Sequence, residues 1–303
     1  MIFRTDLAKE ACKGLENTDG LDSEEFTSFG ISGNRVRISS DGASRKTGKR
    51  KGEYVSFETD AVETRDVENY ENISRAIAEE IRKMIKNPRG AVLVAGLGND
   101  RMTPDSVGPK AAKNILVTKH IFEFMPAAAD ERMNPVCAIA PGVLGVTGIE
   151  SADIIKGICK ENDIGAVIVI DALAARKSER MFSTFQITDA GIEPGAGVGN
   201  KRSALNNETL GVPVIAIGVP TVVYATSLVF DAAVDILSSA TGKTEDEISD
   251  AAMKIAKIKM DDMVVTPKEI DIVAADSAKI IADGINLALH KGLSLDEINA
   301  YMA

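Results

Sequence analysis

Four short apolar runs constrain what this chain can fold into: AVLVAG (91–96), VCAIA (136–140), AVIVID (166–171) and PVIAIGV (213–219). Runs of this kind suit strands buried on both faces. Helical patterns separate them. In ENISRAIAEEIRKMIK (71–86), Ile73, Ile77, Ile81 and Ile85 fall on one stripe, and Asn87-Pro88 stops the helix. Strands alternating with helices imply an α/β fold: a three-layer α/β/α sandwich around a central, mostly parallel sheet.

The two ends of the chain differ from this middle. ISGNRVRISS (31–40) and GEYVSFET (52–59) alternate as strands do, with the basic stretch DGASRKTGKRK (41–51) between them. A β-hairpin with a long tip is expected, within a β-rich N-terminal elaboration over residues 1–65. Arg45, Lys46, Lys49, Arg50 and Lys51 in that tip read as a solvated loop, or else as a docking patch for an acidic partner. Residues 228–303 look mainly helical, with capping-box patterns at TEDE (244–247), TPKE (266–269) and SLDE (294–297). No repeat or Pro/Ser-rich linker divides the chain, so residues 1–303 are expected to form a single domain.

The totals exclude several function classes. A formal net charge of −10 makes the chain a poor ligand for nucleic acid. Its cysteines, Cys12, Cys137 and Cys159, are odd in number and widely spaced, which argues against a disulfide framework and for a reducing, cytoplasm-like compartment. No apolar run approaches the ~18 residues of a membrane span. With no Trp and only 4% aromatics, the core must be built from Ile, Val, Leu and Ala.

In α/β sheets, ligands collect beyond the carboxyl ends of the strands. The stretch after AVLVA, GLGNDRMTPDSVGP (96–109), resembles a phosphate loop but fails both nucleotide patterns. A dinucleotide fingerprint would need glycine where Arg101 stands, and the GKT at 242–244 has Leu237 where a P-loop needs glycine. Thr103-Pro104-Asp105 could open a helix, but Pro109 is itself a good first helical residue and the apolar periodicity begins after it. Asp105 is thus expected in the loop before that helix, facing the strand ends. Asp171 closes the run VIVID, either capping the next turn or serving a functional role. Two acids at neighbouring strand ends are what water-activating hydrolysis requires: one takes a proton from water, while the other, protonated, polarises the carbonyl. Lys201 and Arg202 end the Gly-rich loop TDAGIEPGAGVGNKR (188–202). They read either as surface cations or as an anchor for an acidic side chain or an oxyanion. His120 and His290 have no motif around them, Cys137 and Cys159 sit in apolar patterns, and no metal-ligand spacing is present.

RTDLAKEA (4–11), GLGNDRMTPDSVGP, APGVLGVTGIE (140–150), IDALAAR (170–176), TDAGIEPGAGVGNKR and VTPKEID (265–271) together resemble the germination protease family of endospore-forming bacteria. The resemblance implies an atypical aspartic endopeptidase of the forespore or spore core that cleaves small acid-soluble spore proteins after glutamate. It implies a homotetramer made as a zymogen, and a fold like that of hydrogenase maturation endopeptidases. Its catalytic aspartates fall on Asp105 and Asp171. Only Met1, Ile2 and Phe3 precede RTDLA, so a short leader, or processing near Glu10 or Glu16, is expected. A substrate glutamate needs a cation, for which Lys201, Arg202 and Arg176 are the candidates. The hydrogenase peptidases hold nickel with loop acids and a histidine that has no counterpart here, so no catalytic metal and no cofactor are expected. The competing readings are a nickel-dependent maturation peptidase of the related fold, and a non-catalytic binder of acidic spore proteins.

Overall fold

Residues 4–86, 88–193, 203–256 and 263–303 are described by a computed structural model of the chain. They build one nine-stranded sheet from β1 (Leu21–Ser28), β2 (Ile31–Ile38), β3 (Gly52–Glu58), β4 (Ala91–Gly96), β5 (Val136–Ile139), β6 (Ile164–Ala175), β7 (Thr184–Thr188), β8 (Val214–Tyr224) and β9 (Val264–Val265). The order is β1-β2-β3-β7-β8-β6-β4-β5, with β9 on the far end of β8. The four apolar runs form the parallel heart, β8-β6-β4-β5. The remaining strands extend it antiparallel.

The parallel strands are apolar on both faces because both faces are covered. On one side, Val92, Val94, Ile168, Ile170, Ile215 and Ile217 pack under the helices Val67–Met84, Val107–Ala112 and Ile270–Leu289. The predicted isoleucine stripe supplies Ile73, Ile77 and Ile81 to this layer. Each such fully buried side chain contributes about 1.5–3 kcal/mol. On the other side, Leu93, Ala95, Val167 and Val169 meet Ala152 and Ile155 of the helix Ser151–Glu161, together with Leu205. The three-layer sandwich is therefore present.

Several local expectations are corrected. The segment 41–51 is not a loose tip, because Asp41–Thr47 is a helix capped by Ser40, whose hydroxyl accepts from Ala43 N at 3.0 Å. The hairpin proper joins β1 to β2. Phe29 (φ 48°) and Gly30 (φ 76°) form its two-residue turn, both left-handed as a type I′ turn requires. β3 pairs with β7, so this N-terminal unit continues the main sheet. TPKE is not a capping box, since the helix begins at Ile270 with Glu269 at its N-cap; the Thr266 hydroxyl donates to Thr221 O at 2.8 Å. SLDE is one, with both reciprocal bonds made. The helix expected from Pro109 begins at Val107.

The strand ends matter most for the site. β4 stops at Gly96, opposite Ile170 of β6. β6 does not stop there: Asp171–Ala175 continue beside β8, paired with Gly218–Val223 through one register shift after Leu173. Asp171 is therefore inside a strand, not at its end. It does lie one residue beyond the point at which β4 leaves the sheet, so the expected crevice forms along the edge of β6.

Candidate active site

The chain leaving β4 is held in a tight loop. Leu97 N donates to Ile170 O at 2.8 Å, and Asn99 N donates to both the main-chain oxygen (3.0 Å) and Oδ2 (2.9 Å) of Asp105. Asp105 ends the 3-10 turn Thr103–Asp105, which the bonds Met102 N→Asn99 O and Asp105 N→Met102 O close back on the loop. This fold-back needs Gly98. Its φ is 111°, and a Cβ there would lie 2.1 Å from the carbonyl oxygen of Asp105. A Cβ on Gly108 would likewise lie 2.1 Å from Leu97 O and 2.6 Å from Ile170 O, so the next helix starts directly against the strand backbone.

Asp171 is 6% exposed, and its Oδ1 accepts from Ala172 N at 3.0 Å. Asp105 is half-buried. Both side chains line one cavity of about 490 Å³ beyond the end of β4. The two acids singled out from sequence are thus brought to a common space by a rigid loop and a central strand. A cavity of that size admits a stretch of peptide and is walled by mostly apolar groups with a few convergent polar ones, as ligand sites generally are.

The cations fall differently. Arg176 makes a two-pronged contact with Asp231, at 2.9 and 2.6 Å, and its guanidinium lies 5.4 Å from the Phe230 ring centre. It is not part of the cavity wall. Lys201 and Arg202 lie outside the described residues. Among the described residues, the cavity cations are Lys49 and Arg50, from the stretch read as a solvated loop or a docking patch. The basic run does not act as one patch: Lys51 pairs with Asp41 at 2.8 Å, and Arg50 with Glu208 at 3.0 Å and Glu193 at 3.6 Å.

Sequence reasoning also missed Asp6. The N-terminal segment lies along the edge of β6 that β4 vacates. Asp6 N donates to Ala174 O, and Ala174 N donates to the Asp6 carboxylate, both at 2.8 Å. Gln186 clasps the segment from the other side, through Ala8 N (2.7 Å) and Asp6 O (3.1 Å). Leu7 is fully buried against Leu173 and Val223. Glu10 takes the main-chain N–H groups of Arg176 (2.8 Å) and Lys177 (3.0 Å). Lys49 donates to Thr5 O at 2.8 Å. Burial pushes the Asp6 carboxyl up from its ordinary value while Lys49 pulls it down, and burial pushes the Lys49 ammonium down. No local signal marks this pairing, because its partners are some forty residues apart in the chain.

Of the two histidines, His120 is exposed and His290 is fully buried between Leu116 O and Asn134 N, away from the cavity. Cys137 in β5 and Cys159 in the helix Ser151–Glu161 are free thiols against the apolar layer around Leu93. Among the described residues, no helix is long and apolar enough to cross a membrane.

The profile of the germination protease family matches residues 3–262 and 254–302. The chain belongs to the germination protease family. It is 40% identical to the germination protease of Clostridium acetobutylicum, over 99% of this chain and 98% of that protein. It is 38% identical to that of Clostridium tetani over the full length of both, and 36% identical to that of Bacillus subtilis over 99% and 96%. Membership makes the chain a peptidase, a hydrolase of peptide bonds, with a role in germination. A solved NiFe hydrogenase maturation protease from Thermococcus kodakarensis matches 68% of this chain and 98% of its own, at 14% identity and a TM-score of 0.34. A score that low supports no shared mechanism.

Proposed function

We propose that the chain is an atypical aspartic-type endopeptidase that opens the degradation of small acid-soluble spore proteins, cutting after glutamate, with Asp105 and Asp171 as its catalytic pair. The observation that carries this reading is that both carboxylates line one peptide-sized cavity, in a family of proteases. One carboxylate takes a proton from water as the water oxygen bonds to the scissile carbonyl carbon. The carbonyl oxygen gains the electron pair of the broken π bond and the proton held by the other carboxylate. The carbonyl then re-forms as the carbon–nitrogen bond breaks: the amine leaves with the proton first taken from water, and a hydroxyl proton of the tetrahedral intermediate returns to the carboxylate that had donated one.

The family resemblance further supports a zymogen in the forespore or spore core that works as a homotetramer. Exposed apolar side chains such as Phe124 (79%), Ile236 (68%) and Val146 (51%) suit a chain with partner copies.

The test is cleavage of a peptide carrying the glutamate-containing motif of the spore proteins. Asp105→Asn and Asp171→Asn are each expected to lower kcat by at least ~10³-fold, in the range set by losing a group that acts in concert with another. Their thermal unfolding is expected to stay cooperative. Near wild-type kcat in either variant removes that residue from the mechanism.

A further inference from the structure

We propose that Arg50 is the specificity-determining residue of this cavity, the side chain that grips an acidic residue of the peptide being cut. The proposal rests on the peptidase reading above and adds to it which residue selects the substrate. Among the described residues, two cations reach the cavity wall, and they differ in what already holds them.

Lys49 and Arg50 are neighbours on the short link between the helix Asp41–Thr47 and β3, and both line the cavity that holds Asp105 and Asp171. The link is well fixed. The helix ends on Gly48 at φ 70°, the Ser44 hydroxyl donates to Lys49 O at 2.6 Å, and the buried Tyr54 donates its phenolic hydrogen to Arg50 O at 2.9 Å. Both side chains therefore start from a set position.

Their commitments differ. Lys49 is spent inside the protein, donating to Thr5 O and lying in the field of the Asp6 carboxylate. Moving it would unpair the N-terminal segment from the edge of β6. Among the described residues, the Arg50 guanidinium is held by Glu208 and Glu193, whose side chains are 83% and 37% exposed. Ion pairs of that kind contribute about 0–1 kcal/mol, so a ligand carboxylate can replace them at little cost. The guanidinium also presents two parallel N–H groups that match a carboxylate edge, which an ammonium cannot do.

Net charge sharpens the point. At −10 the chain repels an acidic peptide at long range. Recognition must then come from a cation at contact distance, inside the cavity, where water is partly excluded.

The experiment compares kcat/KM for two peptides that differ only in having Glu or Gln before the scissile bond. The wild-type chain is expected to favour Glu by roughly 10- to 100-fold, the size of one charge-assisted hydrogen-bonded contact. Arg50→Gln is expected to bring that ratio close to one, and Arg50→Lys to restore part of it. Glu208→Gln, which removes the surface partner, is expected to keep the preference or raise it. A wild-type ratio near one, or a ratio unchanged in Arg50→Gln, overturns the role of Arg50 while leaving the peptidase reading intact. A wild-type chain that cuts neither peptide overturns the peptidase reading, and this one with it.

Discussion

At the scale of single residues, the glycines of GLGNDRMTPDSVGP do geometric work. Sequence alone presents them as a failed nucleotide loop, since it cannot say what each missing side chain would have struck. Gly98 must be glycine twice over: its φ of 111° is hostile to L residues, and an added Cβ would meet the Asp105 carbonyl at 2.1 Å. Gly30, at φ 76° with nothing within 4 Å of an added Cβ, isolates the backbone term alone. Gly30→Ala is expected to cost about 1 kcal/mol of unfolding free energy. Gly98→Ala is expected to cost at least ~2 kcal/mol, strain and clash together, and to lower peptidase activity by displacing Asp105. Urea titration of both variants beside the wild type measures the difference. Equal costs would mean that the loop after β4 relaxes freely. The two aspartates are legible in the sequence because a carboxylate among apolar and glycine residues is conspicuous. Lys49, Arg50 and Asp6 are not, because each looks like an ordinary surface residue until distant segments are brought together.

At the scale of elements, the apolar runs announce the four parallel strands but not their ends. β6 continues through ALAA, residues that favour helices, because the long β8 beside it offers pairing partners as far as Val223, across one register shift between Leu173 and Ala174. β1, LDSEEFTS, is hidden in the sequence because it is an acidic edge strand whose apolar pattern reduces to Leu21 and Phe26. Its stability comes across the ladder, as in the Glu24–Arg35 pair at 3.0 Å and the Arg35 guanidinium 4.9 Å from the Phe26 ring centre. The N-terminal segment is the other element that pattern does not place. It acts as a short edge piece on β6, fixed by Asp6, Leu7 and Glu10. Asp6 and Lys49 are charges lying in each other's field rather than in direct contact, and removing one leaves the other without that compensation, which costs more than removing both. Asp6→Ala is therefore expected to destabilise the fold more than the double change Asp6→Ala with Lys49→Met does. Urea midpoints of the two variants check this. A double variant that is the less stable of the two would show that Lys49 is compensated by other groups.

At the scale of the whole molecule, His290 ties the end of the long C-terminal helix to the chain on both sides of the β5 edge. Its Nε2 lies 3.2 Å from Leu116 O, and Asn134 N donates to its Nδ1 at 3.4 Å. That pattern requires a neutral ring with its hydrogen on Nε2. Protonation would set an N–H on Nδ1 against the N–H of Asn134. Burial accordingly holds the pKa of His290 below its ordinary value of 6.5. The sign follows by linkage. The unfolded chain takes up this proton near pH 6.5 and the folded chain only at lower pH, so the unfolded state binds more protons in between. The stabilisation from a neutral His290 is thus complete above about pH 6.5 and shrinks as the pH falls below it. Asp6 and Asp283, whose carboxyls burial pushes up, act in the opposite sense. A difference between two chains that share them isolates the histidine. Replacing His290 with Gln is expected to cost about 1–3 kcal/mol at pH 7.5, through lost buried hydrogen bonds. Between pH 7.5 and 5.5 the wild type is expected to lose stability relative to His290→Gln, so that the gap between them narrows. A gap that stays constant across that range in urea titrations would mean that His290 titrates alike in the folded and unfolded chains.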